Sequence, residues 1–186
     1  MTVDSLSAVR ARLSYLREWS GDRPVSHAQD ETLNNFSLVE TEVAMLNARS
    51  FSQPPRLEHE GFALVQGSTS ISSLPSSDEI EAVYLPEVES LIRDRLGASR
   101  AFAFASGLRF NERSKHSGSR PNSRPARRVH SDFSTNGATE MASRVFGHDG
   151  QLPARGYWQA LNIWRALSAP PQDTALGFCD MRSIDP

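Results

Sequence analysis

The segment spanning residues 76–97, SSDEIEAVYLPEVESLIRDRLG, constrains this chain more than any other. Ile80, Val83, Tyr84, Val88, Leu91, Ile92 and Leu96 recur at helical spacing, so a helix here has one face that needs an apolar partner. Ser76 followed by Glu79 forms a capping-box pattern, and Gly97 sits where a helix ends on a left-handed residue. Pro86 interrupts the run and predicts two abutting helices, or one kinked helix, with Pro86 in a first turn. The flanks change period. Residues 61–71, GFALVQGSTSI, read as a strand and a loop, and Phe102 and Phe104 fall on one side of a short strand at 101–104. Residues 128–133, 158–167 and 174–180 also have strand character, the last following a Pro170-Pro171 turn. Nearer the start, Leu6, Val9, Leu13 and Leu16 suit a helix, while the rest of the first 50 residues is irregular. A helix followed by several strands predicts a single α+β or mostly β domain over residues 1–186.

Charge narrows the partners. The chain carries a net charge of -2, with mean hydropathy -0.45, so nothing draws it globally to nucleic acid or an anionic membrane. No run approaches the roughly 18 apolar residues of a membrane span. The N-terminus lacks the apolar core of a secretory signal, so a cytoplasmic protein without membrane contact is expected. Cys179 is the single cysteine, which excludes an internal disulfide and a cysteine-based zinc cluster. The basic charge is concentrated: Arg109, Arg113, Arg120, Arg124, Arg127, Arg128 and Lys115 face only Glu112 within 20 residues. Residues 111–128 are also rich in Ser, Pro, Gly and Asn and read as a basic surface loop. No aromatic residue interleaves the arginines between Arg113 and Arg128, which leaves base stacking unsupported. A solvated loop, or a lid bringing Arg to a carboxylate-bearing substrate, is expected instead of nucleic-acid binding.

The candidate chemistry lies at His130-Ser131-Asp132. Residues two apart on a strand project to one face, so an imidazole and a carboxylate can converge on one ion. Two histidines and one carboxylate leave three positions of an octahedral Fe(II) open for oxygen and a bidentate co-substrate. On spacing alone, an H-x-D reads first as a surface His-Asp pair, and a metal role is the lesser reading. Three segments bear on the choice. They are GFALVQGSTSI with the later YLPEVESLIRDRLGASRAFAFASGLR, then RPARRVHSDFS, then WQALNIWRALSAPPQDTALGFCDMRSID. Together, and in order, they resemble the fungal and bacterial non-haem iron, 2-oxoglutarate-dependent hydroxylase/desaturase family. That family includes the aspergillic-acid hydroxylase/desaturase, the gibberellin desaturase and relatives of the cephalosporin methoxylase component. The sequence ARLSYL near the start is similar to the family's opening strand.

The resemblance implies a double-stranded β-helix, or jelly-roll, with flanking helices. It implies Fe(II), 2-oxoglutarate as co-substrate, molecular oxygen, and a small-molecule substrate of secondary metabolism that is hydroxylated or desaturated. His130 and Asp132 match two of the three iron ligands. Arg144, Asn162 and Arg165 match positions that line or border the site and would contact substrate or co-substrate. The distal histidine and a carboxylate-gripping arginine are implied downstream of the Asp-x-Arg-Ser segment. No histidine follows His148, which reads as a loop residue, so the sequence is expected to be incomplete at its C-terminus. The alternative is a truncated, non-catalytic paralogue that acts through a partner. For the other residues the residue-level expectations are structural. Arg165 alternatively salt-bridges Asp180, Asp180 and Arg182 alternatively brace a turn, and Trp158 and Trp164 pack in a core or wall. Cys179 is a small buried residue, and His27, His59 and His116 are solvated.

Overall fold

In residues 9–15, Val9, Ala11, Leu13 and Tyr15 alternate with Arg10, Arg12 and Ser14, the period of a strand with one polar face. The computed structural model forms that strand. It describes residues 8–27, 30–72, 75–109, 126, 128–146, 157–170, 172 and 174–184. All of the basic 111–128 segment except residues 126 and 128 therefore lies outside the described residues, as do His116 and His148. Strand β1 (Ala8–Trp19) pairs antiparallel with β2 (Phe36–Leu46), and the register shifts between Leu16 and Glu18, leaving Arg17 as an extra residue in β1. The helix suggested by Val9, Leu13 and Leu16 is thus a strand, as the ARLSYL likeness implied. The connection from β1 to β2 is organised by Asn35. Its Nδ2 donates to Ser20 O (2.5 Å) and Arg23 O (3.0 Å), and its Oδ1 accepts from Val25 N (2.7 Å).

The chain divides into two compact units. The first comprises Met1–Gln66, Ala126–His130 and Ala175–Pro186, and the second Gly67–Pro125 and Ser131–Thr174. In the first unit, Arg128 forms an isolated parallel bridge with Ser14, and Val129 N donates to Ser14 O (2.8 Å). A 3-10 turn at Met181–Ser183 is held against residues 56–61: Met181 N donates to Glu60 O (3.0 Å), and Arg182 bridges Glu60 (3.0 Å) and Asp180 (2.6 Å). Phe62 stacks on Phe178 with centroids 5.2 Å apart. Gly61, at φ +81°, lies where a Cβ would run into the Met181 side chain.

The second unit holds the helices. Ser76 Oγ accepts from Glu79 N (3.1 Å) and starts α1 (Ser77–Glu79), which runs through a π-helical turn (Ile80–Tyr84) into α2 (Leu85–Leu96). Only half of the capping box forms, because the Glu79 carboxylate turns instead to Ser72. Pro86 lies in the first turn of α2, as expected. Proline cannot donate to the carbonyl four residues back and its ring crowds that carbonyl. The wide turn relieves both: Leu85 N reaches Ile80 O, five residues back. Gly97 ends α2 at φ +62°. Helix α3 (Thr135–Phe146), not anticipated above, begins where Ser134 Oγ accepts from Gly137 N (3.1 Å).

Among the described residues Ile80 (6% exposed) and Ala142 (8%) are buried in the second unit, as is Pro75, and Pro55 is buried in the first. Trp158 and Trp164 are exposed, not packed in a core, and Cys179 is exposed as well. The expected strands at 158–167 and 174–180 carry no ladder among the described residues, so no opposing strand layer covers these side chains. No helix among the described residues is long and apolar enough to cross a membrane.

Candidate functional site

Asp132 sits at a bend in the chain, three residues before the start of α3 and 30 residues before Asn162. In the second unit these two side chains meet: Asn162 Nδ2 donates to Asp132 Oδ2. They line a cleft of about 330 Å³, with Ser131, Phe133 and Ser134 from the bend, Thr135 and Ala138 from the first turn of α3, and Ala160 and Leu161 from the 158–167 segment. The wall mixes hydroxyls and one carboxylate with Phe133, Leu161 and the two alanines. That combination suits a small ligand with an apolar body and a few polar handles.

His130 belongs to the first unit. Its Nδ1 lies 2.9 Å from Arg128 O. A carbonyl oxygen cannot donate, so Nδ1 is the donor in this contact. Histidines that ligate metals through Nε2 are oriented by the same kind of contact to a backbone carbonyl. Imidazole and carboxylate are both suitable donors for Fe(II). His130 and Asp132 thus carry donor types that suit Fe(II). Among the described residues no group of three His, Cys, Asp or Glu side chains could hold a metal.

The remaining candidates separate. Arg144 is exposed in the last turn of α3, where its positive charge complements the helix C-terminus, and it does not line the cleft. Arg165 Nη1 donates to Gly67 O (3.0 Å), and its guanidinium lies 5.7 Å from the Tyr84 ring centroid, while Nε is buried without a hydrogen-bond partner. Arg165 therefore braces the start of the 67–71 loop. The other end of that loop is held by Glu87, whose Oε2 accepts from Thr69 Oγ1 (2.5 Å) and Oε1 from Ser70 N (2.8 Å). Asp180 takes Arg182 as its partner, with Arg182 Nη2 at 2.6 Å, so the turn-bracing reading of that pair holds. His27 and His59 are exposed, as expected.

Glu87 supplies a pH prediction. The Thr69 hydroxyl, then the Ser70 amide, hold its carboxyl below the usual carboxylate value. A pKa lower in the folded state than in the unfolded chain stabilises above the unfolded value, near 4.3, and that contribution is lost as pH falls through the folded value. Amide exchange at Ser70, corrected for its intrinsic rate, should therefore accelerate as pH falls through this range. In Glu87→Gln that acid-dependent step should disappear.

The residues missed by sequence reading are those that α3 brings to the cleft. Ala138, Met141, Ala142 and Val145 recur at i, i+3, i+4 and i+7 behind Ser134, a capping residue, and this was the available signal.

Comparison with known proteins finds relatives of this chain among fungal oxidoreductases. It is 24% identical over 148 residues to the alpha-ketoglutarate-dependent dioxygenase phiK of a fungal species, a match covering 75% of this chain and 50% of that protein. It is 27% identical over 161 residues to the Fe(II)/2-oxoglutarate-dependent dioxygenase nvfI of Aspergillus novofumigatus, covering 84% of this chain and 56% of the relative. An oxidoreductase of Emericella nidulans, AN1597, is 24% identical over 165 residues, covering 86% and 56%. The chain spans about half the length of these relatives. No solved structure matches it significantly. One family profile, described as the oxidoreductase/YMDC permease-like domain, matches residues 13–186, nearly the whole chain, and the chain belongs to that family.

Proposed function

We propose that this chain is part of an iron(II)- and 2-oxoglutarate-dependent oxygenase that hydroxylates or desaturates a small molecule of secondary metabolism, built on a double-stranded β-helix. The observation that carries the reading is the likeness to phiK and nvfI. Both are named as 2-oxoglutarate-dependent dioxygenases, and each match spans three quarters or more of this chain. The donor chemistry of His130 and Asp132 supports it, with His130 Nδ1 held by the Arg128 carbonyl. Bound with 2-oxoglutarate and oxygen, the iron supplies an oxidant able to take hydrogen from an unactivated C–H bond while the co-substrate is decarboxylated. The protein's part is to hold the ion by His130 and Asp132, with a third ligand supplied from outside the described residues, and to seat the substrate in the adjoining cleft. Phe133, Leu161, Ala138 and Ala160 would pack the apolar body of the substrate, and Ser131, Ser134 and Thr135 would meet its polar groups. Whether hydroxylation or desaturation follows depends on how the second hydrogen of the substrate is presented, a matter of cleft shape.

The test is anaerobic addition of Fe(II) and then 2-oxoglutarate to the full-length protein. A visible charge-transfer absorption that needs both components, and that is absent in His130→Ala, is the expected result. If neither iron nor 2-oxoglutarate is retained, the oxygenase reading falls and a non-catalytic relative acting through a partner takes its place.

A further inference from the structure

Asn136-Gly137 is the only asparagine-glycine pair in the sequence. Asparagine is a thermolabile side chain, and most so before glycine. The amide nitrogen of the next residue can attack the side-chain carbonyl, and glycine puts no Cβ in the way. The new N–C bond closes a five-membered imide and the side-chain amide leaves as ammonia. Water then opens the imide at either carbonyl, leaving aspartate or isoaspartate. Here the pair lies in the first turn of α3, and Asn136 is exposed. The other asparagines among the described residues, Asn34, Asn35, Asn47 and Asn162, all hold hydrogen bonds. Two features of the turn oppose the attack. Helical backbone angles keep the Gly137 nitrogen away from the Asn136 side chain, and Gly137 N donates to Ser134 Oγ (3.1 Å). Against them, glycine is a poor helix former, so the turn opens more readily than it would with alanine. We infer that Asn136-Gly137 is a site of spontaneous deamidation whose rate is set by opening of the Ser134-capped turn, and whose isoaspartate product alters the cleft. Thr135 and Ala138, on either side of the pair, line that cleft. Aspartate at 136 only adds negative charge near a helix N-terminus, where it is favourable. Isoaspartate inserts a carbon into the main chain and puts the hydrogen bond from Ala138 N to Ser134 O (2.9 Å) out of register. The inference is independent of the iron reading.

The experiment ages the full-length protein in mildly alkaline buffer and quantifies acid and isoaspartate at each asparagine by peptide mass spectrometry with electron-transfer fragmentation. Wild type, Ser134→Ala, Ser134→Thr and Gly137→Ala are compared, and wild type in urea gives the rate of the open chain. Native wild type is expected to convert at Asn136 more slowly than in urea, but ahead of Asn47 and Asn162 in the same sample. Ser134→Ala should convert about 2–30-fold faster, the equivalent in local opening of a lost helix cap. Ser134→Thr keeps a capping oxygen and should stay near wild type, and Gly137→Ala should lose the reaction. In aged protein the Ala138 amide should exchange faster with solvent as isoaspartate accumulates. Conversion in urea with none in the native protein overturns the inference, as do equal rates in the two conditions or a Ser134→Ala rate equal to wild type. Acceleration of Asn35 and Asn47 together with Asn136 in Ser134→Ala reports global unfolding and overturns the role of the cap. Unchanged Ala138 exchange in isoaspartate-containing protein overturns the effect on the cleft.

Discussion

Asp132→Ala and His130→Ala, each made in the full-length protein, are expected to reduce Fe(II)-dependent decarboxylation of 2-oxoglutarate to background. Each would delete a proposed metal donor outright, so metal binding should weaken by more than the roughly 100-fold upper end for losing a supporting partner. Both side chains are exposed, and substitutions of exposed residues usually change stability by no more than about 0.5 kcal/mol. Activity should therefore vanish with circular dichroism and thermal midpoint intact. Arg144→Ala is the contrasting variant. Arg144 lies in the last turn of α3 and is not part of the cleft wall, so its removal should leave metal binding unchanged. Turnover that survives either donor substitution would take that residue out of the site.

The largest expected effect on stability is at Ile80, a large aliphatic side chain buried to 6% exposure. Ile80→Ala removes three carbons and leaves a void that neighbours fill only in part. Such changes cost about 2–5 kcal/mol. Natural domains hold only about 5–15 kcal/mol in total, so the urea midpoint should drop by a large fraction. Val9→Ala, at a β1 position where the side chain is 68% exposed, should move it by about 0.5 kcal/mol or less. Equal shifts in the two variants would mean that the second unit does not depend on the packing around Ile80.

The helical segment was legible because several local signals agree within it. Ser76 caps, Gly97 terminates at φ +62°, and the apolar positions keep helical spacing between them. The start of the chain misled for a specific reason. Val9 and Leu13 are four apart, a separation that puts two side chains on one face in a helix and in a strand alike. Ala11 and Tyr15, which fall on that face only at period two, decide for the strand, and pairing with β2 adds the long-range term that no local window contains. At the site, His130 and Asp132 were legible as residue types at a telling spacing. The pairing of Asp132 with Asn162 was not, since 30 residues separate them and only the folded second unit closes that distance. Asn162 was expected to touch a ligand, and Arg165 was open between a ligand and an ion pair with Asp180. The structure gives Arg165 a backbone carbonyl and an aromatic ring instead.

The wide turn at Ile80–Tyr84 also sets a phase. A helix advances about 100° per residue, and a turn closed over five residues instead of four holds one more residue than a regular turn. Winding the same residues as ordinary α-helix, without shortening the chain, would rotate everything before them by about 100° relative to α2. Ser76 and Glu79 lie before the turn, and Glu87 lies after it. Glu79 meets the 67–72 segment at Ser72, and Glu87 meets it at Thr69 and Ser70. The wide turn thus absorbs one residue of length and keeps two carboxylates pointing at the same strip of chain; a change that closed it as regular helix without shortening the chain would aim them apart.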